Sequence, residues 1–203
     1  MQHGPDDEVV LRVRDDGSHE LRVNGVFVMD DVETSSERFL ASHVVDLGAR
    51  DVLVGGLGLG FTARELLARD VASVVVAELH HEVVEAVDLP DDPRLTVVVG
   101  DVLDVVTGTA TGSLDAILLD VDNGPDFLVH DRNATLYGAD FVGVCAARLR
   151  PTGHLAIWSM ADSAAVRSNL ADHFATVTAT AIPVNLQGRA ESYWVLTGSI
   201  PQR

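Results

Sequence analysis

The stretch LVGGLGLGFTARELL, residues 53–67, decides the fold. Its short apolar run is typical of a buried strand, and the pattern that follows it is typical of a helix. Between them lie four glycines within six residues, Gly55, Gly56, Gly58 and Gly60. Glycines in such a place let the backbone turn sharply and lie close to a ligand at a helix N-terminus. The stretch therefore predicts a strand, a ligand-binding turn and a helix.

Strands and helices alternate along the rest of the chain. Strands are predicted at DVLVGG (51–56), SVVVAE (73–78), RLTVVVGD (94–101), LDAILLD (114–120) and HLAIW (154–158), and helices at 61–69, 80–87, 133–149 and 163–174. Continuous β-branched runs are typical of parallel strands that are covered on both faces. The alternation predicts right-handed crossovers and an α/β, doubly wound sheet.

The end of the chain breaks this alternation. ATVTATAI (175–182) and ESYWVLTG (191–198) are joined by a glycine-containing loop with no room for a helix. We expect the two segments to form an antiparallel hairpin. A mostly parallel, Rossmann-like sheet closed by such a hairpin resembles the class I methyltransferase-like fold.

A small β-meander is predicted before the main sheet. VVLRVR (9–14), HELRV (19–23) and VFVM (26–29) are strand-like and are separated by turn signals. We therefore divide the chain into an N-terminal meander at 1–32 and a nucleoside-binding domain at 33–203. The exposed edges of the meander lead us to expect a homodimer.

A helix is expected directly after the meander. Thr34 and Glu37 stand at capping-box spacing, and Gly48 is a stop signal after an apolar stripe at helical period.

The charge of the chain limits its partners. The net charge is −17 and the sequence contains no lysine. This composition argues against nucleic acid and anionic membranes, and it is compatible with a cationic small substrate. No apolar run approaches the roughly 20 residues needed to span a bilayer. The N-terminus lacks a signal-peptide pattern, so we expect a cytoplasmic protein.

Acidic residues follow the predicted parallel strands, where a doubly wound sheet binds its ligands. Glu78, with Leu79 beside it, can accept the two hydroxyls of a ribose. Asp101 can accept a hydrogen bond from an adenine amino group, while the main-chain N–H of Val102 meets a ring nitrogen. Asp120 is expected to point at the reacting centre. Each acid could instead be a helix N-cap or an exposed turn residue.

The glycine turn could bind either of two classes of ligand, a nicotinamide dinucleotide or a sulfonium nucleoside. Gly58, Gly60 and Ala63 satisfy G-x-G-x-x-A, with Glu78 about 20 residues further on, as in nicotinamide-binding proteins. However, a pyrophosphate would be repelled by a cleft rimmed with carboxylates, and no nearby arginine is expected to be placed so as to compensate. A sulfonium nucleoside would be attracted. No metal is expected, because the adjacent His80 and His81 point in different directions on a helix.

The chain resembles the spermidine synthases, which are polyamine aminopropyltransferases within the class I methyltransferase-like fold. The resemblance is carried by LRVNG, VLVGG, VVVAELHHEVV, LTVVVGD and above all ILLDVDNGPDFLVHDRNATLY. It implies a metal-free transfer of an aminopropyl group from decarboxylated S-adenosylmethionine to putrescine. It also implies that Glu78 binds the ribose, Asp101 binds the adenine and Asp120 is the base.

Several groups that hold the two amines in that family are missing or displaced here. Gly58, between Leu57 and Leu59, stands where the family has an Asp that binds the aminopropyl ammonium. The other departures are Val28 in place of a Gln, Glu37-Arg38-Phe39 in place of a Tyr-His/Gln-Glu group, and Asn123 in place of a second Asp, with Asp122 one residue away.

These observations predict a sulfonium-nucleoside-dependent transferase that acts on a small, amine-bearing acceptor. Asp122, Asn123 and Tyr137 are the expected acceptor residues. The loss of the Asp at Gly58 slightly favours methyl transfer from S-adenosylmethionine, with S-adenosylhomocysteine as product. Aminopropyl transfer, with methylthioadenosine as product, is one alternative. A non-catalytic protein that binds S-adenosylmethionine or methylthioadenosine is another, and a nicotinamide oxidoreductase stays open.

Overall fold

A computed structural model describes residues 8–121, 123–125, 128, 131–186 and 188–202. The strands are β1 (Val9–Val13), β2 (His19–Val23), β3 (Val26–Asp30), β4 (Asp51–Gly55), β5 (Ser73–Glu78), β6 (Leu95–Val99), β7 (Leu114–Leu119), β8 (Leu149–Ser159), β9 (Phe174–Leu186) and β10 (Arg189–Pro201). The helices are α1 (Ser35–Asp46), α2 (Phe61–Leu67), α3 (His81–Ala86), α4 (Val102–Gly108), α5 (Ala139–Arg148) and α6 (Ala164–Ala171), with a 3₁₀ helix at Asp131–Tyr137.

Seven strands form one sheet in the order β6-β5-β4-β7-β8-β10-β9. The first five are parallel to one another, and β10 pairs antiparallel with both β8 and β9. The chain moves outward from β4 to β6 and then returns to β7 on the other side of β4. The strand order therefore reverses between β4 and β7. The predicted α/β fold with its antiparallel C-terminal hairpin is confirmed.

Apolar helices cover both faces of the sheet. On one face, Leu40 of α1 and Leu66 of α2 belong to a fully buried cluster. On the other face, Val142 and Cys145 of α5 and Leu170 of α6 form a second one. The central strands are buried on both sides, which explains why their sequences are continuous apolar runs. Among the described residues, no helix combines the length and apolar character needed to cross a membrane.

The N-terminal residues form the predicted three-stranded antiparallel meander, β1-β2-β3. Asn24 and Gly25 both have positive φ in the turn between β2 and β3, as a tight hairpin requires. Leu21 on its inner face is buried in the same cluster as α1. Glu20 on the other face is buried beneath arginines and accepts a hydrogen bond from Arg14. The division into two domains at residue 32 stays a prediction.

Three local predictions need correction. Thr34 is the N-cap of α1, but its side chain makes no capping hydrogen bond. Glu37 is turned inward and accepts a hydrogen bond from Ser36, so the predicted capping box does not form. The helix predicted at 133–149 is a 3₁₀ helix and then α5, since the chain is extended at Gly138. The strands of the C-terminal hairpin each reach 13 residues, because they pair almost end to end.

Gly56 offers a test of how closely β4 and β7 must approach. It has a φ of +92°, and a Cβ there would lie 2.2 Å from the carbonyl oxygen of Asp120. We expect Gly56→Ala to lower the free energy of unfolding by about 3 kcal/mol or more, because it adds a main-chain clash to backbone strain. Urea unfolding at equilibrium measures this loss.

Gly48→Ala is the matched control. Gly48 has a φ of +98°, and a Cβ added there would have nothing within 4 Å, so only backbone strain of about 1–2 kcal/mol is expected. Equal losses for the two variants would contradict the close approach at Gly56.

Candidate functional site

A cleft of about 980 Å³, including its open mouth, lies at the carboxyl ends of the parallel strands. Asp101 follows β6, Glu78 ends β5, Gly56 follows β4, Asp120 follows β7 and Trp158 lies near the end of β8. Neighbouring strands are about 4.8 Å apart. The five positions therefore form a row roughly 19 Å long. This row crosses the point where the strand order reverses, which is where doubly wound sheets bind ligands.

Glu78 is held firmly by main-chain donors. Its side chain is almost wholly buried, with 7% of the residue exposed. One oxygen accepts the N–H of Leu57 at 2.9 Å, and the other accepts the N–H of His80 at 2.8 Å. These bonds join the glycine turn to the start of α3 and fix the carboxylate in the wall of the cleft. A carboxylate held in this way can accept ribose hydroxyls with its remaining lone pairs.

Asp101 has a structural task as well as a place in the cleft. One of its oxygens accepts the N–H of Leu103 at 2.9 Å and so caps α4. The N-cap interpretation of this residue is therefore correct. Asp101 nevertheless lines the cleft together with Val102 and Leu79, so the end that is predicted to hold adenine combines one carboxylate with apolar walls.

The glycine turn is shaped by what packs against it. Gly56 and Gly58 line the cleft, whereas Gly55 and Gly60 are buried beside it. A Cβ on Gly58 would lie 2.5 Å from the sulfur of Met29. The N–H of Leu59 points at the same sulfur atom, 3.1 Å away. Met29 of β3 therefore attaches the meander to the glycine turn and occupies the space that a side chain at residue 58 would need.

Two carboxyl groups share the far half of the cleft. Asp120 accepts a hydrogen bond of 2.6 Å from the hydroxyl of Thr62. Glu37 of α1 also lines the cleft and is 8% exposed. Burial raises the pKa of Asp120 to about 6. Burial, together with the like charge of Asp120, raises the pKa of Glu37 to about 7. This half of the site can therefore hold or exchange protons near neutral pH.

Sequence reasoning missed Glu37 and Met29 among the cleft residues. The capping-box spacing predicts a capping role for Glu37, although an acid beside an apolar helix stripe could equally face inward. Met29 carries no signal in the sequence, because its contact with Gly58 spans the meander and the main sheet. Trp158 ends the predicted fifth strand, and the structure places it in the wall of the cleft.

The predicted acceptor residues differ in their position relative to the cleft. Asn123 lines the cleft, and Asp122 lies outside the described residues. Tyr137 is buried, and its hydroxyl donates to the carbonyl of Val121 at 2.8 Å. Tyr137 therefore supports the wall at Val121 instead of lining the cleft, because its ring packs in the core beneath it.

One arginine lies near the glycine turn, but it is not directed into the cleft. Arg64 of α2 donates to the carbonyl of Leu59 at 2.6 Å and also bonds the carbonyl of Asp88. Its two terminal nitrogens both donate to main-chain oxygens, so the guanidinium connects two loops and does not join the lining of the cleft. The lining thus keeps its acidic character.

The sequence is similar to those of polyamine aminopropyltransferases. A polyamine aminopropyltransferase of Mycobacterium tuberculosis is 31% identical over 169 residues, which cover 77% of this chain and 31% of the relative. One of Corynebacterium efficiens is 34% identical over 122 residues, 55% of this chain and 23% of the relative. The chain thus spans about a third or less of the length of these curated relatives. No family model matches.

Solved structures are similar over nearly the whole chain. A spermidine synthase in complex with the transition-state analogue AdoDATO has a TM-score of 0.80 and 17% identity, covering 98% of this chain and 72% of that one. The spermidine synthase of Thermotoga maritima has a TM-score of 0.77 and 19% identity, with the same coverage. The fold and its switch-point cleft define a class I methyltransferase-like fold. Within that fold, the sequence is similar to those of polyamine aminopropyltransferases.

The raised pKa of Glu37 predicts how stability depends on pH. Its pKa is about 7 in the folded protein against an ordinary value of 4.5, so the folded state binds more protons than the unfolded state between those values. Stability is therefore lost as the pH rises from about 4.5 to 7. We expect Glu37→Gln to remove this loss and to raise the free energy of unfolding at pH 8 by roughly 1–3 kcal/mol, measured by urea unfolding across pH.

Glu33→Gln is the matched control. Hydrogen bonds from Ser35 lower the pKa of Glu33, so this variant should become slightly less stable above pH 5. A Glu37→Gln variant that is destabilised at pH 8 would contradict the burial of an ionisable carboxyl at residue 37.

Proposed function

We propose that this chain binds decarboxylated S-adenosylmethionine and transfers its aminopropyl group to a small amine. The observation that carries the proposal is the row of Asp101, Glu78, the glycine turn and Asp120 along one cleft at the switch point. Along this row, Asp101 would meet the adenine, Glu78 would meet the ribose, and the sulfonium centre would lie between Glu78 and Asp120. The names of the curated relatives support aminopropyl transfer, and nothing in the comparisons favours the methyl transfer predicted above.

The adenosine would lie across the ends of β6, β5 and β4. Asp101 and the N–H of Val102 would meet the adenine edge, and Glu78 would accept the ribose hydroxyls. Gly56 and Gly58 bring the main chain to the cleft surface, which leaves room for the sulfur between the ribose and Asp120. The net charge of −17 favours a cationic donor and a cationic acceptor alike.

Asp120 would act as the base. The acceptor nitrogen attacks the carbon next to the sulfonium, a C–N bond forms, the C–S bond breaks, and methylthioadenosine leaves with the bonding electron pair. The proton that the amine nitrogen loses passes to Asp120. A carboxyl with a pKa of about 6 is ionised at neutral pH and still accepts a proton more readily than an ordinary aspartate. Catalysis otherwise consists of positioning two substrates in line.

Asp120→Asn tests the assignment of the base. We expect it to lower kcat by about 100-fold or more, because general-base catalysis is lost while shape is kept. Its affinity for methylthioadenosine should change little in calorimetry, since Asp120 lies beyond the ribose. Wild-type kcat should fall as the pH drops below about 6, the pKa of Asp120, when product formation is followed with decarboxylated S-adenosylmethionine and putrescine.

Glu78→Gln is the complementary variant, and it should lose affinity for methylthioadenosine. Wild-type protein that binds the nucleoside without turnover would indicate a binding protein. Stabilisation by NADH but by no sulfonium nucleoside in a thermal-shift assay would overturn the proposal in favour of an oxidoreductase. The homodimer stays a prediction, which light scattering can check.

A further inference from the structure

We infer that Glu37 is the specificity residue of the donor site, where its carboxylate binds the ammonium at the end of the donor's aminopropyl tail. The inference rests on the proposed function, because it assumes that a sulfonium nucleoside occupies the cleft. It assigns to α1 a contact that the glycine turn of this chain cannot make.

The glycine turn offers no charge to a cationic tail. The residues between the end of β4 and the start of α2 are glycines and the two leucines Leu57 and Leu59, which are both buried. Gly58 cannot gain a carboxylate without a change elsewhere, because a Cβ there would lie 2.5 Å from the sulfur of Met29. The turn therefore contributes close main-chain approach and nothing that would neutralise an ammonium.

The meander side of the cleft is apolar as well. Leu21, Val23, Val28 and Met29 line it. An ammonium group that left water to lie against these side chains alone would lose its hydration without compensation. A donor with a charged tail is consequently accepted only if a carboxylate lies within reach of the tail.

Among the residues that the structure describes, the carboxyls that line the cleft divide into two pairs. Asp101 and Glu78 follow β6 and β5, on the adenosine side of the glycine turn. Asp120 and Glu37 lie on the other side, where the sulfur and its tail extend. If Asp120 receives the proton of the acceptor amine, Glu37 is the carboxyl that is left for the tail ammonium among the described lining residues.

Local structure suits Glu37 to this role. Its backbone is fixed in the first turn of α1, and its side chain is almost completely buried while still lining the cleft. The hydroxyl of Ser36 donates to one carboxylate oxygen at 2.6 Å, which orients the group. The buried carboxyl is costly to ionise without a counter-charge, so an arriving cation favours its ionised form.

The same geometry separates decarboxylated S-adenosylmethionine from S-adenosylmethionine. The latter carries a carboxylate on its tail, and this group would approach Glu37 and Asp120 where both are ionised. Like charges in a partly desolvated cleft disfavour binding. Both tails carry the ammonium, so its attraction to Glu37 strengthens binding, and repulsion of the additional carboxylate is what separates the two donors.

Titration calorimetry of Glu37→Gln with three nucleosides tests the inference. We expect decarboxylated S-adenosylmethionine to bind about ten- to hundredfold more weakly to the variant, because a charge-assisted hydrogen bond is lost. Methylthioadenosine has no ammonium, so its affinity should change less than twofold and should show that the site is intact. The preference of the wild type for decarboxylated S-adenosylmethionine over S-adenosylmethionine should narrow in the variant.

Glu33→Gln is the matched control, because it removes the same charge four residues earlier, outside the lining of the cleft. It should leave all three affinities within about twofold. An unchanged affinity of Glu37→Gln for decarboxylated S-adenosylmethionine, or an equal loss for methylthioadenosine, would overturn the role of Glu37. Wild-type protein that binds none of the three nucleosides would instead refute the proposed function itself.

Discussion

The turn at Gly56 runs directly against the main chain at Asp120. A methyl group at residue 56 would lie 2.2 Å from the carbonyl oxygen of Asp120, and the N–H of Asp120 donates to the carbonyl of Gly55 at 2.8 Å. This contact aligns the ends of β4 and β7 at the point where the strand order reverses. Every group of the cleft is positioned relative to these two strand ends, so the site depends on the absence of a side chain at Gly56.

The cleft brings acidic side chains together, and burial makes two of them costly to ionise. Glu78 and Asp101 are held by main-chain N–H groups, which stabilise a carboxylate in place. Glu37 and Asp120 accept hydrogen bonds from the hydroxyls of Ser36 and Thr62, and burial nevertheless raises the pKa values of both. The half with Glu78 and Asp101 is thus preorganised. In the half with Glu37 and Asp120, a cationic ligand would stabilise the ionised carboxylates.

Much of the fold could be predicted because it depends on local pattern. The apolar runs, the glycine turn and the two strands without an intervening helix near the C-terminus predicted the sheet that the structure shows. The acids at the strand ends were predicted to come together because parallel strands place their carboxyl ends at one edge. The tail side of the site was not predictable in this way, since it depends on Glu37 from α1 and Met29 from the meander.

The sequence by itself determined the succession of strands and helices, the place of the cleft and the identity of the acids Glu78, Asp101 and Asp120. These properties follow from periodicity and from which residues come directly after each strand. Only the tertiary structure decided that Glu37 faces the cleft and does not cap its helix, and that Met29 fills the space beside Gly58. Both outcomes depend on how α1 and the meander pack over the sheet, and such contacts between distant segments leave no periodic trace in the chain.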